Sequence, residues 1–160
     1  MANESGLLFE QAKAVSQSSG VTLFRALNIL MVPILKTMIV NPDSAIQSAF
    51  DAATAHWLDG MHNTDELVQM KLNIWQEIDT LEHQTKMSKR SRRRNSLLRA
   101  VLSVCNPEPS EDPSGVVWDG PFEPGEEESV CSDYAMWLFE FLNSAGGSRY
   151  WFTGVIKLPV

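Results

Sequence analysis

Residues 21 to 40 read "VTLFRALNILMVPILKTMIV", and a run this apolar has two destinations, a bilayer or a protein core. Its length is that of a membrane span. Arg25, Asn28 and Lys36 lie inside it, however, and Pro33 interrupts it. On insertion scales one charge at span depth costs about 3 kcal/mol. No membrane span is therefore expected, and the segment reads as a buried core helix over residues 22 to 40, capped by Thr22. Pro33 is expected to kink or split it, because the ring removes a donor and clashes with the preceding turn.

The remaining segments carry helical periodicity. Residues 5 to 18 place Leu7, Leu8, Ala12 and Val15 near one face, and "SSG" at 18 to 20 closes them. In "NPDSAIQSAFDAATAHWLDG", Ile46, Phe50, Ala53 and Trp57 form an apolar stripe. Asn41 is the expected cap there, Pro42 the first helical residue and Gly60 the stop. The next helix, from "HNTDELVQMKLNIWQEIDTLEHQ", pairs Asn63 with Glu66 at capping-box spacing, with Thr64 as the alternative cap. Asp65 and Glu66 suit its first turn. A fifth helix is expected from about Ser88 to Cys105, basic in its first half and apolar in its second.

"NPEPSEDPSGVVWDGPFEPGEEES" follows, with five prolines and three glycines in 24 residues, which excludes regular structure over most of it. The last long helix is expected over "SVCSDYAMWLFEFLNSAGG", with Val130, Tyr134, Trp137, Leu138, Phe141 and Leu142 facing inward. The tail from 148 to 160 is apolar. The expectation is one all-α domain spanning residues 1–160, a compact bundle of five or six helices with an irregular acidic loop at 106–128. Cys105 and Cys131 flank that loop. They are expected to be buried thiols; a bridge between them would close about 25 residues and contribute about 3 kcal/mol.

No segment carries a catalytic or cofactor signature. GxxxxGK[ST], GxGxxG and GxSxG are absent, and His56, His62 and His83 have no metal-ligand spacing. No cofactor and no metal are expected. His56, beside Trp57, reads as a structural histidine. The N-terminal "MANESGLLFEQAKAVSQ" does not read as a signal peptide, and a cytoplasmic location is expected.

Charge is unevenly spread. The net formal charge is −7, yet seven of thirteen basic residues lie in "KMSKRSRRRNSLLRA", residues 86 to 100. Lys89, Arg90, Arg92, Arg93 and Arg94 are the candidate anion or nucleic-acid site. Such a site lacks a zinc spacing, a zipper and interleaved aromatics. "RRNS" also matches a basophilic-kinase acceptor pattern. Nine acidic residues lie between Glu108 and Asp133. The expected arrangement is internal, with the acidic loop folded back over the basic half-helix. Glu111, Asp112, Trp118, Asp119, Glu126, Glu127 and Glu128 are the candidate partner-binding residues, since carboxylates speed association with a basic groove and aromatics anchor it.

The order "AATAHWLDG", "NIWQEIDTLE", "LLRAVLSVCNPEP", "YAMWLFEFLNSAG" resembles small acidic helical immunity proteins encoded beside bacterial contact-delivered toxins. The matching positions are Trp57 and Gly60, Trp75 and Asp79, Arg99 to Val101 with Cys105, and Trp137, Leu138 and Leu142. They cover about residues 45 to 146. The resemblance implies a non-enzymatic inhibitor whose partner is one cognate toxin. The alternative is a small nucleic-acid-binding or regulatory protein acting through Lys86–Arg99.

Overall fold

The structure, a computed structural model, describes residues 4–147; the apolar tail from 148 lies outside the described residues. Six α-helices are present, and no strand occurs among the described residues. They are α1 (Glu4–Ser19), α2 (Leu23–Met38), α3 (Ser44–Ala53), α4 (Thr64–Glu82), α5 (Lys89–Leu102) and α6 (Glu126–Leu142). The all-α expectation is met.

Helix α2 is the centre. Ten of its sixteen residues are buried, from Leu23 to Leu35. A helix apolar on most of its circumference must be enclosed on several sides. Accordingly it packs against α1, α3 and α6. One hydrophobic cluster joins Leu8, Leu27, Ile46, Leu67, Leu98 and Leu138, one from each helix. Thr22 caps α2 as expected, accepting from the Arg25 amide at 3.1 Å. No helix among the described residues is long and apolar enough to cross a membrane.

Pro33 does not split α2, which runs unbroken to Met38. An interior proline costs about 3 kcal/mol. Burying Ile34 and Leu35, both nearly inaccessible, returns about 1.5–3 kcal/mol each. Burial of the last turn therefore outweighs the lost bond.

The start of α3 also differs from expectation. Asn41 is not the cap; it adopts left-handed backbone with φ 55°, so the chain reverses there. Asp43 caps instead, accepting from the Ile46 amide at 3.1 Å. Helix α3 then widens into a π-helical turn at Thr54–Leu58, which Gly60 ends with φ 67°. Asn63 precedes α4 but its side chain makes no capping bond. Its amide instead donates to the Ala52 carbonyl at 3.1 Å, tying the end of α3 to the start of α4.

Candidate functional site

The acidic loop is held from beneath by α2. Arg25 Nε donates to Glu108 Oε1 at 2.7 Å, and a terminal nitrogen donates to Glu111 Oε1 at 3.2 Å. The same guanidinium lies over the Trp57 ring, 5.0 Å from its centroid. The π-helical turn contributes the rest of this seat. It carries adjacent His56 and Trp57, both buried. Trp57 Nε1 donates to the Val104 carbonyl at 2.9 Å, which fixes the path of the chain leaving α5. His56 Nε2 lies 3.1 Å from Glu111 Oε1, and its Nδ1 lies 3.1 Å from Asn63 Oδ1. His56 is thus buried with an oxygen partner at each ring nitrogen.

Asp112 shapes the next turn. Its buried carboxylate accepts from the amides of Val116, Val117 and Trp118 at 3.2, 2.8 and 2.8 Å. Burial alone would raise its pKa; the three amides outweigh that and hold it below the usual carboxylate range. Gly115 at φ 69° allows the reversal. Trp118 then turns inward. Its Nε1 donates to the Pro107 carbonyl at 2.6 Å. Its ring stacks on Tyr134 of α6 and meets Phe24 edge-on. Phe24 touches four rings, those of Trp57, Trp118, Phe122 and Tyr134, at centroid distances of 5.7 to 5.9 Å. The loop is therefore packed down at both ends of its turn, not solvated along its length.

The seven candidate contact residues fall into two groups. Glu111, Asp112 and Trp118 point inward and hold the loop. Asp119, Glu126 and Glu128 are exposed and Glu127 is half-buried. Glu126 to Glu128 form the first turn of α6, which begins three residues earlier than the pattern predicts. There the carboxylates face the positive end of the helix. Glu126 also accepts from the Glu123 amide at 3.2 Å. Val116 stands exposed at the tip of the turn. Trp137, expected inward, is 42% exposed; Ala135 and Phe139 are buried instead.

The basic segment does not receive the acidic loop. Helix α5 folds back on α4 across the short connection 83–88, which sets its basic start beside the acids of α4. Arg94 makes a bidentate pair with Glu77 at 2.7 and 3.0 Å and also reaches Asp43 at 2.6 Å. Arg99 pairs with Glu82 at 2.8 Å. The loop leaves from the opposite end of α5, about 20 Å away by helical rise. That separation is why the expected fold-back fails. Lys86, Lys89, Arg90, Arg92 and Arg93 are exposed, and no carboxylate among the described residues pairs with them. Arg92 instead donates to the Met87 carbonyl.

Cys105 and Cys131 are free and buried, and burial pushes both thiols up to about 12. Among the described residues no three His, Cys, Asp or Glu side chains are grouped to hold a metal ion. In comparisons with known proteins, no family model, no curated protein and no solved structure matches the chain.

Proposed function

We propose that this protein is a non-enzymatic inhibitor, an immunity protein that binds and neutralises one cognate bacterial toxin domain in the cytoplasm. One observation supports the reading most. Exposed Asp119, Glu126 and Glu128 stand on a loop and helix start secured from below by Arg25, Asp112 and Trp118. A surface already ordered loses little entropy on binding, and carboxylates on it speed encounter with a basic cleft. Val116 at the tip supplies an apolar contact in the same surface.

A second reading rests on the basic start of α5. Lys89 and Arg90 occupy the first turn, at the positive end of the helix dipole, where cations are disfavoured. An anionic partner such as nucleic acid would relieve that repulsion.

The two separate by charge reversal. Tagged wild-type protein is used to capture partners from lysate of its source cells, before and after nuclease treatment, at low and at moderate salt. Two variants accompany it: Asp119→Lys with Glu126→Lys and Glu128→Lys, and Arg90→Glu with Arg92→Glu and Arg93→Glu. The expected result is one stoichiometric protein, lost with the first variant and kept with the second. That protein's toxic activity should fall on adding wild type. Capture untouched by the first variant overturns the proposal. Recovery of nucleic acid alone, before nuclease and abolished by the second variant, establishes the alternative.

A further inference from the structure

A pocket of about 300 Å³ opens between α4, α5 and α6, beside the acidic turn, whose Trp118 stacks on the lining Tyr134. Its aromatic walls are Trp75, Tyr134, Trp137 and Phe141, and its polar lining includes Lys71, Ser103 and Asn106. Lys71 and Trp75 are four apart on α4, and Tyr134, Trp137 and Phe141 recur at helical spacing on α6. Such stripes ordinarily close a core. Here they leave a space, and the polar residues opening onto it are not satisfied by their neighbours. Lys71 has no ion pair among the described residues, though it is half-buried. Ser103 and Asn106 are more than nine-tenths buried. The Ser103 hydroxyl has no hydrogen-bond partner among the described residues. Asn106 donates to the Leu102 carbonyl at 3.2 Å, which leaves its side-chain oxygen open. Arg99, by contrast, is neutralised by Glu82 and lies 5.2 Å from the Trp75 centroid, where it steadies that wall.

We infer that this pocket binds a small planar aromatic acid, its ring between the aromatic walls and its anionic group on Lys71 and Ser103. Apolar walls with a few convergent polar groups are the usual make-up of small-molecule sites, and the volume is at the small end of their range. Lys71 is the orienting cation. Burial lowers its pKa, against the pull of the Asp112 carboxylate, so an arriving anion stabilises an ammonium that water serves poorly. The open Asn106 oxygen accepts from a ring N–H or O–H. The inference is independent of any protein partner.

The test is calorimetric titration of the full chain with indoleacetate, its neutral amide and adenosine monophosphate. Indoleacetate should bind saturably and its amide at least about tenfold more weakly, as expected for loss of one charge-assisted bond. Lys71→Met, close in volume, should weaken indoleacetate by about tenfold or more. Should that variant not fold, the wild type answers alone. Its affinity for indoleacetate should drop as pH rises, at a pH below that of a free lysine. Tighter binding of adenosine monophosphate, equally dependent on Lys71, supports the site and identifies phosphate as its acid. No saturable binding, equal binding of acid and amide, or affinity indifferent to Lys71 and to alkaline pH overturns it.

Discussion

Replacing Asp112 should loosen the acidic surface without dissolving the bundle. One carboxylate there holds three amides, two at 2.8 Å and one at 3.2 Å. A hydrogen bond to a charged group contributes about 1.5–3 kcal/mol net. The three bonds do not add, since they share two oxygens and the freed amides of a surface turn regain water. Asp112→Ala should therefore cost about 2–4 kcal/mol in urea unfolding, against a total of about 5–15 kcal/mol for an ordinary domain. Asp112→Asn keeps one acceptor oxygen and should cost less. Amide hydrogen exchange at residues 116 to 118 should accelerate in both, while α2 stays protected. The pH dependence has a definite sign. The folded-state pKa of Asp112 is depressed, so its contribution is present above the unfolded carboxylate value and is lost as pH falls through the folded one. The gap between wild type and Asp112→Ala should shrink below about pH 4. Unchanged exchange at 116 to 118 in Asp112→Ala would refute the reasoning, because the turn would then stand without its carboxylate.

The arginines of α5 should separate by partner, not by position. Arg94→Ala loses a bidentate pair and Asp43 together and should lower stability by about 1–2 kcal/mol, whereas its neighbour Arg93→Ala should stay within about 0.5 kcal/mol; urea midpoints of the two variants decide. The thiols should be silent in the native state. With both pushed up to about 12 by burial, a thiol reagent at pH 8 should react slowly with folded protein and count two groups at once in denaturant; fast native reaction, or no free thiol in unreduced denatured protein, would contradict their burial as thiols.

Periodicity carried the helices well because each buries an apolar stripe against its neighbours in one shared core. Thr22, Ser88 and Gly60 were legible as boundaries because their roles are local: a hydroxyl accepting an amide three residues on, or a glycine free to take positive φ. Asn41 and Asp43 compete two residues apart, and Asp43, which takes the cap, is also held by Arg94 from another helix. The π-helical turn at 54–58 has no local signal, since its residues would serve equally in an α-helix. The candidate surface was legible as acidic composition but not as geometry. Asp112 opens "DPSG" and Asp119 opens "DGPF", both turn signals, and only the fold shows that one is surrounded by amides while the other is exposed. Arg25 was read as a charge that argues against a bilayer. Its carboxylate partners stand 83 and 86 residues away, beyond any local pattern.

That separation bears on how the surface comes into being. The ribosome releases α1 and α2 long before Glu108 emerges, so Phe24 and Arg25 wait as a dock for a segment not yet made. A fragment starting at Ser44 would keep every one of the nine acids between Glu108 and Asp133 and lose Phe24 and Arg25. Its acidic segment would have the same acids, two of them no longer offset by Arg25, and no dock to lie on. The acidic face thus takes its shape from residues that add no acid to it, Phe24 being neutral and Arg25 a cation that offsets two of the carboxylates, and an alteration at Phe24 should change that shape while leaving every acid in place.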